Sequence, residues 1–176
     1  MSFGRLLCLS VVGGMLALPA QSQSPSQAQT AKAVLKDAQG KDVGDVQLVQ
    51  GANGVLLRMT LKGAPAGERA FHIHAVGKCE APFTSAGPHF NPAGHKHGLE
   101  AKEGSHAGDM PNLHIPASGE LVIEIANPMV TLAKGQPNSL FDADGSAIVI
   151  HAGKDDYKSD PAGNAGDRII CGVITE

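Results

Sequence analysis

Between Phe71 and Asp109 the chain reads FHIHAVGKCEAPFTSAGPHFNPAGHKHGLEAKEGSHAGD, and this stretch holds six of the eight histidines. Imidazole is the commonest metal-ligating side chain, so such crowding points to a metal centre. His72 and His74 are two residues apart; in a strand, that spacing puts both on one face, where they can clamp one ion. His97, His106 and Asp109 add two imidazoles and a hard carboxylate, a donor set that zinc accepts. His89 stands between these groups in sequence, and His151 follows much later, at the end of a predicted strand, from where it could meet the clamp across a barrel. Two four-coordinate metals need eight ligand positions, and these seven residues fill them if one ring serves twice. A deprotonated imidazole can bridge two cations, and His89 is the candidate, although a water can also occupy one position of a catalytic site. His95 and His114 fall outside this set and read as ordinary surface or structural histidines.

Such ligands need a scaffold. Tryptophan is absent, aromatics make up 3%, and 22 glycines and 11 prolines punctuate the chain, which favours a loop-rich β protein over a helical bundle. From Thr30 onward short apolar segments alternate with turn residues: AKAVLK, VGDVQLVQ, VLLRMTLKG, ERAFHIHAV, NLHIP, ELVIEIA, SAIVIHA and RIICGVIT. These eight predicted strands, with no convincing helix, imply an all-β antiparallel sandwich or closed Greek-key barrel. The connection from Val76 to about Met110 is far longer than the roughly 12 to 15 residues compact domains tolerate without structure, so it is expected to be functional and ordered by metal and disulfide.

The ends of the chain bear on location. Arg5 precedes LLCLSVVGGMLAL, an apolar run that suits a signal peptide but falls short of the roughly 18 residues a membrane span needs. Residues 1–22 are therefore read as a signal peptide, 23–29 as a flexible linker and 30–176 as one domain. Removing Cys8 with the leader leaves Cys79 and Cys171, an even pair expected to form a disulfide in an oxidising compartment. The formal charge of -3 offers no basic patch for nucleic acid, and no membrane association is expected once the signal is removed.

The motifs FHIHAVGKC, SAGPHFNP, KHG, SHAGD, IVIHAGKDDY and GNAGDRIICGVI, in this order across Ala70 to Val173, resemble those of the secreted, bacterial-type copper/zinc superoxide dismutases. The resemblance implies an eight-stranded Greek-key barrel of immunoglobulin-like sandwich architecture, with a long metal-binding loop and a shorter electrostatic loop. It implies one copper on His72, His74, His89 and His151, and one zinc on His89, His97, His106 and Asp109. Asp155 would hydrogen-bond a ligand of each metal, Arg168 would attract and orient superoxide, and the Cys79–Cys171 bridge would hold Arg168 against the copper channel. The implied reaction turns two superoxide anions and two protons into oxygen and hydrogen peroxide by alternating Cu(II) and Cu(I), with His89 leaving copper and carrying a proton. That reaction would protect the cell envelope, with the protein exported, most simply to the periplasm.

The segment GKDDYKSDPAGNAGD after His151 is shorter than in animal cytosolic relatives, and Lys154 and Lys158 could supply part of its guiding field. Bacterial members of the family occur as monomers and homodimers, so oligomeric state stays open. Two other readings compete: a non-enzymatic periplasmic metal buffer, which would not need Arg168, and a copper-only relative, which would lack His97, His106 and Asp109.

Overall fold

The structure, a computed structural model, describes residues 28–176 together with Met1. The predicted leader and most of the tether lie outside the described residues. Gln29, assigned to the tether from sequence, belongs to the domain: its carbonyl accepts from Gln50 N at 2.8 Å and its side chain donates to Leu132 O at 2.7 Å. The regular pattern of short apolar segments folds into strands β1 (Thr30–Asp37), β2 (Asp42–Gly51), β3 (Gly54–Leu61), β4 (Gly67–Arg69), β5 (Phe71–His74), β6 (Leu113–Ile115), β7 (Leu121–Asn127), β8 (Ala147–His151) and β9 (Arg168–Val173). The one helical element among the described residues is a single 3-10 turn, Thr84–Ala86.

Nine strands replace the predicted eight because ERAFHIHAV divides at Ala70. On one side of it Arg69 pairs with Leu113 of β6; on the other Phe71 pairs with Ile150 of β8. Ala70 spends its own groups elsewhere, donating to Gly153 O and accepting from His151 N. Seven strands form a curled antiparallel sheet in the order β5-β8-β9-β1-β2-β3-β7, and β4 and β6 pair separately. Since β4 runs into β5 at one edge and β6 runs through the Pro116–Gly119 turn towards β7 at the other, the small pair spans the sheet's open side.

Alternation decides which face is wet. β1 buries Ala31, Ala33 and Leu35 and exposes the residues between them, so one side of the curl becomes the core, filled by residues such as Leu48, Leu57, Met59, Phe71, Leu113 and Ile148. Strands β5 and β8 break this rule, being buried at every position. Phe71 and Ile73 face the core, while His72 and His74 face outward beneath the long loop. Beside them on that outer face, Val149, Ala147 and Cys171 pack with Phe83 and Ala86 of the loop.

Backbone hydrogen bonds hold the loop down as well as the crosslinks expected from sequence. Ile73 N donates to Gly108 O at 2.9 Å, Phe90 N to Ile73 O at 2.8 Å and Ala75 N to Pro88 O at 2.9 Å. These ties place His89 opposite His74 and Asp109 opposite His72 as isolated antiparallel bridges.

Candidate metal centre

His72 and His74 project from the outer face of β5, as their spacing requires. His151 comes from β8, the strand hydrogen-bonded to β5, and so meets them from next door on the same outer wall rather than from across the barrel. Ligand atoms of His72, His74, His89 and His151 lie within 4.8 Å of one another, as do those of His89, His97, His106 and Asp109. The two tetrads share His89. All seven residues are buried.

Around each ring the two nitrogens are differently employed. His74 Nδ1 faces Gly87 O at 2.9 Å, His151 Nδ1 faces Gly166 O at 3.2 Å, and His72 Nε2 and His97 Nε2 face the two oxygens of Asp155 at 2.7 and 3.0 Å. In His72, His74 and His151 the outer nitrogen therefore has an acceptor that makes it the protonated one, and the inner nitrogen keeps its lone pair for the shared space; His97 stands between two carboxylates, Asp155 at Nε2 and Asp109 at Nδ1, and frees its inner nitrogen only on losing a proton. Two of the buried inner nitrogens, His74 Nε2 and His89 Nε2, have no hydrogen-bond partner among the described residues. Leaving such a group unpaired costs about 1–3 kcal/mol, which a bound cation would remove.

The donor separations fit a cation too. His72 Nδ1 to His151 Nε2 is 3.3 Å, His89 Nδ1 to His106 Nδ1 is 3.4 Å and Asp109 Oδ1 to His106 Nδ1 is 3.3 Å, while Asp109 Oδ1 lies at hydrogen-bond distances of 2.9 and 3.0 Å from Nδ1 of His89 and His97, which a bound ion would widen. Two ligands on a tetrahedral ion at about 2.0–2.1 Å are separated by roughly 3.3–3.4 Å. The residues thus fit metal ions in both tetrads.

Electrostatics sets His97 apart from the other shifted rings, His106 beside it being lowered by burial as well. Burial, reinforced by neighbouring imidazoles, lowers His72 to about 4, His74 to about 2 and His151 to about 3, despite partial compensation from Asp155 at His72 and from the Gly87 and Gly166 carbonyls. Burial opposes charge at His97 as well, but Asp109 and Asp155 at its two edges outweigh it and raise the ring to about 9. Burial likewise disfavours charge on Asp109 and Asp155, yet donors from His89, His97 and Gly98 N, and from His72, His97 and Tyr157 N respectively, hold both carboxyls well below their ordinary range.

Arg168 pairs with His151 across β8 and β9, after a bulge in the ladder. Its Nη1 donates to Phe83 O at 2.8 Å, and it lines an open cavity of about 720 Å³ with Thr84 and Gly166. Cys79 and Cys171 form the expected disulfide, with Cα atoms 5.6 Å apart. The bridge reaches Arg168 indirectly: Cys79 anchors the segment that carries Phe83, a buried residue in the left-handed region (φ 70°), whose carbonyl holds the guanidinium.

Other residues stand apart. His95 is exposed, facing Ser105 O at 3.1 Å, and His114 is exposed beside Glu68 at 3.4 Å. Lys154 pairs with Glu68 at 3.6 Å and Lys158 with Glu100 at 2.9 Å, so each lysine's charge is offset by a carboxylate. Sequence reading missed the supporting shell: Asn112, Tyr157, Gly163 and the carbonyls of Gly87 and Gly166. Gly163 leaves a detectable signal, a glycine at φ 64° where any Cβ would run into Asp155 and His97.

An all-β barrel wall carrying two adjoining His-rich tetrads, joined by a common imidazole and flanked by an arginine, defines a dinuclear-type metalloprotein of the β-sandwich class. Residues 42–174 match the family model described as copper/zinc superoxide dismutase (SODC). The chain is similar to a copper-zinc superoxide dismutase of Aquifex aeolicus, 53% identical over 155 residues covering 87% of this chain and 91% of that one. It is also similar to one of Caulobacter vibrioides, 46% identical with 82% and 85% covered. A solved structure, a double mutant of a SOD-like protein from Bacillus subtilis, superposes with a TM-score of 0.79 at 36% identity, covering 82% of this chain and 97% of that one. The chain belongs to the copper/zinc superoxide dismutase family, oxidoreductases that use copper and zinc to convert superoxide into oxygen and hydrogen peroxide.

Proposed function

We propose that this superoxide dismutase binds copper through His72, His74, His89 and His151 and zinc through His89, His97, His106 and Asp109, with His89 common to both. The observation that carries the reading is the pairing of committed outer nitrogens with unpartnered inner ones, in two tetrads that meet at one ring. When bound, copper supplies a reversible one-electron change and zinc a fixed, redox-inert positive charge.

The protein's own groups do the rest. Arg168 is half-buried, with one guanidinium nitrogen tied to Phe83 O and its planar fork otherwise available to attract and orient a small anion beside His151. His89 Nδ1 is turned towards Asp109 Oδ1, its fellow in the proposed zinc tetrad, which leaves the unpartnered Nε2 free to hold a proton and return it to developing peroxide. Asp155 fixes the tautomers of His72 and His97 together, so the two tetrads keep a common geometry.

Export and residence in the periplasm belong to the same reading, supported by the leader-like residues and by the disulfide, which persists in oxidising compartments. No helix among the described residues is long and apolar enough to cross a membrane. A homodimer is compatible with this reading.

Metal analysis combined with a superoxide-consumption assay on the purified mature protein tests the proposal. One copper and one zinc per chain with chelator-sensitive turnover is expected. Metal without turnover would favour a metal buffer, and copper without zinc a copper-only protein.

A further inference from the structure

Asp155 is held by a closed set of hydrogen bonds that reaches beyond the imidazoles. Its Oδ1 accepts from Tyr157 N at 2.6 Å as well as facing His97, and Asn112 grips its main chain from both sides: Asp155 N donates to Asn112 Oδ1 at 2.8 Å, and Asn112 Nδ2 donates to Asp155 O at 2.9 Å. Asn112 is itself held by the phenol, its backbone N donating to Tyr157 Oη at 2.7 Å. Tyr157 is the chain's one tyrosine and adopts the left-handed backbone region (φ 63°), a conformation that aromatic residues keep only where the surroundings over-determine it. That conformation turns its N–H onto Asp155 while its ring returns to Asn112, three residues beyond Asp109. Its carbonyl also accepts from Glu100 N at 3.2 Å, against Gly98, where a Cβ would strike that carbonyl.

We infer that Tyr157 is a positioning residue for the metal centre: through Asn112 and its own N–H it fixes the Asp155 carboxylate between His72 and His97. The inference rests on the proposal that these two imidazoles bind metal. The phenol oxygen is the critical atom, because it satisfies a half-buried N–H on the residue that clamps Asp155, and a carboxylate that drifts by even about 0.5 Å no longer aims both rings.

The test measures zinc affinity by chelator competition on the metal-free full chain, for wild type, Tyr157→Phe, Asp155→Asn and the double variant. Cobalt(II) absorbance reports the geometry of the zinc site in parallel. Tyr157→Phe is expected to weaken zinc about tenfold, the low end for an outer hydrogen-bond partner, and to shift the cobalt spectrum. In the Asp155→Asn background the same change should have no further effect. Wild-type affinity and spectrum in Tyr157→Phe would overturn the inference. So would an equal loss in both backgrounds, since a general loss of stability carries over into the second background whereas a loss routed through Asp155 does not. Failure of the wild-type chain to bind zinc at all would instead remove the underlying metal assignment, and the inference with it.

Discussion

Asp155 shows how much one side chain can decide. It is buried, it faces His72 with one oxygen and His97 with the other, and it thereby selects which nitrogen of each ring keeps its lone pair. Replacing it by asparagine puts an N–H donor against one of those rings and reverses that ring's tautomer. Asp155→Asn is expected to weaken binding by about 10–100-fold in the tetrad whose ring meets the amide nitrogen and less in the other, measured by competition with a chelator; unchanged affinity in both tetrads would take this role from the carboxylate. The pKa pattern yields a second residue-scale prediction. His72, His74 and His151, at about 4, 2 and 3, are neutral at pH 7, whereas His97, at about 9, is charged. Zinc must displace the His97 proton, so its affinity should rise by about tenfold per pH unit towards pH 9, with proton release that the copper-side rings do not share. Calorimetry in buffers of different ionisation enthalpy measures this. The sign for the metal-free fold follows. Charge on His97 contributes stability that is full below its ordinary pKa of roughly 6.5 and is lost as pH rises through 9. The three lowered rings do the opposite, contributing stability above roughly 6.5 that is lost on acidification.

Among the elements, the loop between β5 and β6 carries most of the site and has little core of its own. It is secured by the bridges His74–His89 and His72–Asp109 along β5 and by the Cys79–Cys171 crosslink to β9. The cysteines are 92 residues apart, so the crosslink removes a large loop entropy from the unfolded chain, on the order of 4–5 kcal/mol in the chain-entropy model. Cys79→Ser with Cys171→Ser should therefore lower unfolding free energy by about 2–5 kcal/mol in denaturant titrations. It should also slow superoxide consumption in fully metallated protein, because the Phe83 carbonyl that holds Arg168 lies on the released segment. Lost stability with an unchanged rate would separate the bridge from the arginine. Its length and its histidines, Asp109 and Cys79 announced this element from sequence. Its backbone ties to Ile73 were invisible there, since any residue can donate or accept a main-chain bond.

Taken as a whole, the molecule carries a formal charge of -3 and would repel an anion at long range, so attraction to the site has to be local. Lys154 and Lys158 are offset by Glu68 and Glu100, whereas Arg168, paired with His151 in the ladder, forms no ion pair among the described residues. Arg168→Glu should lower the rate of superoxide consumption by about tenfold or more at low ionic strength, and added salt should then speed the variant where it slows the wild type. Rapid-mixing kinetics over a range of salt would read both slopes. An unchanged salt response would take the steering role from Arg168.

What the amino-acid order determined unaided was local or compositional. Turn residues between short alternating segments specify an all-β chain, His72 and His74 must share a face of any strand, and an even cysteine pair invites a bridge. Even the division of ERAFHIHAV was out of reach, because it depends on which neighbour each half pairs with, β6 or β8. Only the tertiary structure decided that β8 lies against β5, so that His151 joins the clamp from the adjacent strand on the outer wall, and that Lys154 and Lys158 are spent on ion pairs. It alone shows Asn112 gripping Asp155 across 43 positions of chain, and Tyr157 holding Asn112 across 45. Periodicity encodes which way a side chain points. Which distant segment it meets is set by sheet order and by hydrogen bonds that close only when the barrel does.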